Sequence, residues 1–107
     1  MKKLKNKDLQ RINIEEFKNA EKTPITIVLD NIRSALNVGS VFRTADAFLI
    51  ENIILCGITA CPPNKDIRKA ALGSTDSVKW EFFKNTIDAV SKLKAEGYHI
   101  IGIEQAD

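Results

Sequence analysis

Short apolar runs alternate with stretches of helical period between residues 25 and 103, and this alternation limits the fold more than any other feature. Ile25 to Leu29 is a continuous β-branched and apolar run closed by Asp30 and Asn31, the pattern of a strand buried on both faces. From Ser34 to Leu49 the apolar residues Leu36, Val38, Val41, Phe42, Ala45, Ala47, Phe48 and Leu49 fall with helical spacing, so a helix is expected after that strand. Asn52 to Cys56 is a second strand, Gly57 to Asn64 a loop stiffened by Pro62-Pro63, and Lys65 to Leu72 a short helix that Gly73 can close. Val78 to Phe83 reads as a third strand, Thr86 to Glu96 as a helix ended by Gly97, and Tyr98 to Ile103 as a fourth strand.

Repeated strand-helix units of this length imply an α/β fold, an open and mostly parallel sheet with right-handed crossovers and helices on its faces. At 107 residues the chain holds at most one such domain. Residues 1–24 read as a separate basic segment, with Leu9, Ile12, Ile14 and Phe17 at rough helical spacing until Thr23-Pro24 interrupts it. After Ile103 only four residues remain, and no helix covers the last strand, so the sequence reads as an incomplete domain over 25–107 whose last strand is open to association. Ligands of open α/β sheets lie beyond the carboxyl ends of the strands, where this chain ends.

Composition adds limits. A net charge of +2 is too mild to prove nucleic-acid binding. Its distribution says more, with Lys2, Lys3, Lys5, Lys7 and Arg11 at the start and a second cluster of Lys65, Arg68 and Lys69; each cluster suits phosphate contact or an ordinary solvated face. No apolar run follows the basic start and none approaches a membrane span, so a cytoplasmic protein with no membrane association is expected. Cys56 and Cys61, with His99 as the single histidine, make no zinc set, and no metal is expected.

The stretch richest in chemistry is Leu29 to Phe48, LDNIRSALNVGSVFRTADAF, with Asn37-x-Gly39-x-x-x-Arg43-x-Ala45 at its centre. A helix start after a strand favours an anion, glycine permits close approach, and arginine offers forked, permanently charged donors. The same residues also have plainer readings: Asn37 as a helix cap, Gly39 as a packing site, Arg43 as an ion-pair partner of Asp46. Asp30 could orient Arg33 or Arg43, or cap its turn; Trp80, Phe82 and Phe83 could stack on bases or fill a core.

NVGSVFRTADAF resembles the first motif of the SpoU/TrmH family of RNA ribose methyltransferases almost residue for residue, and IRKAALGSTDSVKW, Ile67 to Trp80, is similar to the family's following helix and strand. The resemblance covers Leu29 to Glu104. It implies the α/β-knot fold of the SPOUT superfamily, S-adenosylmethionine as methyl donor, ribose 2′-hydroxyls of tRNA or rRNA as acceptors, and a homodimer. By the same resemblance Arg43 corresponds to the catalytic arginine, Asn37 to its companion in the RNA-side pocket and Gly39 to the motif glycine. Ile103 and Glu104 fall where the first donor-contacting loop begins. The family's second and third motifs, which build the knot and most of the donor pocket, would lie beyond Asp107, so this chain alone is expected to be inactive. A non-catalytic RNA-binding module is the alternative reading. A nucleotide-binding or receiver-like domain is disfavoured, because the first strand-helix turn has neither G-x-G-x-x-G nor G-x-x-x-x-G-K-[ST].

Overall fold

The computed structural model describes residues 22–102. Residues 1–21 of the basic segment expected over 1–24, with its helical spacing, and the donor-side positions Ile103 and Glu104 lie outside them. Strand β1 (Thr23–Asp30) leads to helix α1 (Ala35–Ala47), then β2 (Ile50–Cys56), α2 (Lys65–Ala71), a 3-10 turn (Ser74–Asp76), β3 (Trp80–Phe83) and α3 (Thr86–Ala95). The three strands pair in the order β1-β2-β3, and both pairings are parallel. The α/β class and parallel sheet expected from the alternation are therefore present. The boundary placed at residue 24 falls inside β1, where Pro24 sits at an irregularity in the ladder between Thr23 and Thr26, a position that tolerates a residue with no N–H.

Side-chain alternation along β2 divides the core in two. Ile53 and Leu55 face one side and pack with Leu29, with Val38, Phe42 and Ala45 of α1, and with Ile67 and Ala71 of α2. Ile54 and Cys56 face the other side, with Ala89 and Leu93 of α3 and the partly buried Val28, Phe83 and Tyr98. Helices α1 and α2 thus share a face, while α3 lies opposite. A right-handed crossover that leaves β3 by the opposite face reverses the direction of growth. A parallel strand reached from α3 by such a crossover would lie beside β1 and make the turn after β1 a topological switch point; no such strand is present among the described residues.

Helix starts follow ordinary capping chemistry. Ser34 is the cap of α1, its hydroxyl accepting the Asn37 N–H at 3.2 Å, so the capping role considered for Asn37 belongs to Ser34. Asn64 caps α2 by accepting from the N–H groups of Asp66 and Ile67. Both helices end on a leucine in the left-handed region: Leu49 (φ 55°), two residues past α1, and Leu72 (φ 53°), at the end of α2. The second stop was expected at Gly73, which instead opens the 3-10 turn with φ 88°.

Two strand expectations change. The third strand begins at Trp80 rather than Val78, because the Val78 N–H still bonds to the Ser74 carbonyl at 3.0 Å and completes the preceding turn. Residues 98–102, expected to open a fourth strand, carry no ladder among the described residues. There the Tyr98 N–H is taken by the Leu93 carbonyl at 3.0 Å, and the Tyr98 hydroxyl donates to Glu51 at 3.0 Å. The segment's backbone is tied to the end of α3, and the Tyr98 side chain reaches a strand, at Glu51 of β2. Ile101 is left 83% exposed.

Candidate functional site

Two regions carry the residues singled out in the sequence. The first is the lip at the carboxyl ends of the strands. Asn31, with φ 53°, gives its N–H to the Cys56 carbonyl at 3.2 Å, and its side-chain oxygen accepts the Ile58 N–H at 3.0 Å. Gly57 is required here: a Cβ on it would lie 1.9 Å from Asn31 Oδ1, closer than any real contact. Thr59 bridges the same turn, donating to the Leu29 carbonyl and accepting the Ile32 N–H. Asp30 accepts from the Asn31 amide at 2.9 Å and the Thr86 hydroxyl at 2.5 Å, both through Oδ1. The role considered for it, orienting Arg33 or Arg43, does not arise. Burial holds the Cys56 thiol above its ordinary pKa, against a downward pull from the Thr86 hydroxyl and with a lesser upward push from Asp30. Cys56 is therefore a buried thiol rather than a nucleophile.

The second region is the outer surface of α1 and α2. Val38, Phe42 and Ala45 turn inward, which leaves Ser40, Arg43, Thr44 and Ala47 on the opposite side. With Phe48, Lys69, Ala70 and Leu72 these residues line a shallow groove of about 520 Å³. Its charged groups are Arg43 and Lys69, both cations, and both are exposed. Among the described residues neither makes a side-chain hydrogen bond or ion pair. The partner considered for Arg43, Asp46, is half-buried elsewhere; burial pushes its carboxyl up, and the Lys22 ammonium draws it back. An exposed Arg-Lys pair with no acid in its lining is suited to an anion.

Gly39 sets the spacing of this groove. It is buried in the seam between α1 and α2, and a Cβ there would lie 2.5 Å from the Ile67 carbonyl oxygen and 2.8 Å from the Ala70 Cβ. The packing reading explains this glycine: its Cα is covered by α2, and no ligand is needed to account for it. Close approach of the two helices is what brings Lys69 to the same groove as Arg43.

Other expected residues separate. Asn37 is exposed near the start of α1, six residues before Arg43, a rise of about 9 Å and roughly 240° of rotation, so the two side chains bracket the helix rather than meet. Arg68 points to a different hollow of about 610 Å³, shared with Pro62, Pro63, Asp76 and Trp80, where Asp76 offsets its charge. Lys65, though exposed, lines neither cavity. His99 is exposed. Phe48 and Leu72, at 68% and 66% exposure, were missed as site residues, because helical period assigns both to an apolar face and only the chain direction at each helix end turns them outward. Among the described residues no group of three or more His, Cys, Asp or Glu side chains is placed to hold a metal ion, and no helix is long and apolar enough to cross a membrane.

Comparison with known proteins places this geometry in context. The model of the SpoU rRNA Methylase family matches residues 24–107. The chain is 26% identical over 91 residues to a Staphylococcus saprophyticus protein assigned to the TrmH family of tRNA/rRNA methyltransferases, covering 85% of this chain and 36% of that one. It is 26% identical over 88 residues to the 23S rRNA (guanosine-2′-O-)-methyltransferase RlmB of Pseudomonas aeruginosa, covering 82% and 36%. The crystal structure of an AdoMet-bound rRNA methyltransferase from Sinorhizobium meliloti superposes with a TM-score of 0.61 at 28% identity, over 74% of this chain and 31% of that one. The chain spans a little over a third of the length of the curated relatives it matches.

Proposed function

The chain belongs to the SpoU rRNA methylase family, and on that premise we propose that it carries the RNA-facing residues of an enzyme that methylates a ribose 2′-hydroxyl of tRNA or rRNA, with S-adenosylmethionine as donor. The observation that carries this reading is the pairing of Arg43 and Lys69, two unpartnered cations in one groove without an acid, at the position where the family motif puts its arginine.

The donor supplies an electrophilic methyl carbon. Among the described residues, Asp30 presents a carboxylate at the turn after β1 with both of its contacts on Oδ1, leaving Oδ2 as an acceptor suited to the hydroxyls of a nucleoside. Ile103 and Glu104, the donor-side positions by the family resemblance, lie outside the described residues. The Arg43 guanidinium carries donors and no acceptor, so it is not assigned the part of the base. Its role is to hold the target nucleotide through a phosphate and to stabilise negative charge growing on the 2′-oxygen. The proton leaves to water or to a substrate phosphate. Asn37, near the top of α1, would donate to or accept from the same nucleotide or its neighbour.

Arg43 lies about 12 Å along α1 from its start, on the outer side of the helix layer, whereas the donor lip is at the carboxyl ends of the strands. That separation supports a homodimer in which the groove of one copy meets the lip of the other. The basic groove is also what a non-catalytic RNA-binding module would need, and the acceptor chemistry separates the two. On incubation of the whole protein, not of these 107 residues alone, with methyl-labelled S-adenosylmethionine and bulk tRNA or rRNA, label is expected in dinucleotides that survive alkaline hydrolysis, since a 2′-O-methyl group blocks strand cleavage. Label recovered on alkali-released nucleotides would exclude ribose as the acceptor, and binding of RNA without any transfer would favour the module.

A further inference from the structure

We propose that the α1–α2 groove is a seat for one unpaired nucleotide, its base lying on Phe48 and Leu72 and its flanking phosphates on Arg43 and Lys69. This rests on the reading of the chain as RNA-facing and specifies the form of RNA it takes. The groove is cationic at its polar positions and apolar at one end, and neither character alone fits a simple ion or an apolar ligand. Phe48 is 68% exposed and Leu72 66% exposed, although each is anchored through its backbone: the Phe48 N–H bonds to the Thr44 and Asp46 carbonyls, and the Phe48 carbonyl accepts the Thr23 hydroxyl at 2.9 Å. Leu72 is held in the left-handed region, which disfavours any side chain, next to a glycine that would adopt it freely. A side chain kept exposed in an unfavourable conformation on a rigid backbone is spent on a contact rather than on the core.

Charge decides the occupant. A second copy docking this face on itself would set Arg43 and Lys69 against their own equivalents. Residues 1–21 carry six Lys and Arg against four Asp and Glu, so that segment brings the wrong sign. RNA supplies both an anion and an apolar plane. Only an unpaired nucleotide exposes its base face, since duplex RNA offers side chains its backbone and a shallow groove.

Stacking and phosphate contact differ in their response to salt, and this gives the test. Fluorescence anisotropy of a labelled, unstructured ten-nucleotide RNA is measured with the wild-type chain and with Phe48→Ala, Phe48→Trp and Lys69→Ala, across a series of salt concentrations. Phe48→Ala is expected to weaken binding about five- to a hundredfold with no change in the salt dependence, and Phe48→Trp to restore it. Lys69→Ala is expected to reduce the slope of log affinity against log salt by about 0.7. A duplex of the same length should bind the wild type more weakly and be indifferent to Phe48. Wild-type affinity in Phe48→Ala with an intact Lys69 effect would overturn the stacking seat while leaving the RNA reading in place. No binding of either RNA by the wild type would overturn both.

Discussion

Gly39→Ala is expected to destabilise the fold by about 2 kcal/mol and to lower the melting temperature by about 10 °C. Two effects oppose each other. Alanine is the better helix former, by about 1 kcal/mol in a helix interior. Against this, its Cβ would stand 2.5 Å from the Ile67 carbonyl oxygen and 2.8 Å from the Ala70 Cβ. Neither neighbour is the end of a flexible chain, so relief requires α1 and α2 to move apart, and overpacking of this kind costs about 3 kcal/mol. Sterics win, and for a domain of this size each kcal/mol shifts the midpoint by roughly 4–8 °C. Thermal unfolding followed by circular dichroism reads the result. The same separation moves Lys69 away from Arg43, so RNA affinity should fall even at temperatures where the variant is fully folded. An unchanged midpoint would mean that the helix seam is looser than its geometry indicates.

In the whole protein Arg43→Ala is expected to lower the rate of methyl transfer about 10²- to 10³-fold, the usual consequence of removing one charged donor from a developing oxyanion. Arg43→Lys should recover part of the loss, since it keeps the charge and loses the fork. Arg43→Ala should leave the folding stability within about 0.5 kcal/mol of wild type, as an exposed side chain without partners contributes little to folding. Single-turnover transfer, with the enzyme in saturating excess over RNA, separates chemistry from binding.

The fold was legible wherever local period and global packing agree. Ile25 to Leu29, Asn52 to Cys56 and the α1 stripe each had one reading, because a β-branched run and a helical spacing cannot exchange roles. The strand expected from Val78 failed at its start because Ser74 and Asp76 close a hydrogen-bonded turn that apolar pattern cannot register. Tyr98 failed for a different reason: its residues have strand character, but a strand exists only with a partner, and the described residues give it none. At the site, the motif Asn37-x-Gly39-x-x-x-Arg43 was visible as spacing, while the separate duties of its members were not. Gly39 serves the helix seam, Asn37 stands about two turns from Arg43, and Lys69 joins Arg43 only through tertiary packing. Arg68 and Lys69 are neighbours in sequence yet face different hollows, so a charge cluster read along the chain had no single location in space. The exposed Phe48 and Leu72 could have been found only from the helix ends, where one left-handed residue decides which way a side chain leaves the core.

Ultraviolet cross-linking of the chain to unstructured RNA, with the attached peptides identified by mass spectrometry, tests most directly where RNA lies. The α1–α2 groove predicts adducts at Phe48 and on the peptides carrying Arg43 and Lys69, lost when excess unlabelled single strand is added. Adducts confined to the α3 side, on peptides carrying Lys84, Lys92 and Lys94, would place RNA on the opposite face of the sheet and contradict the account.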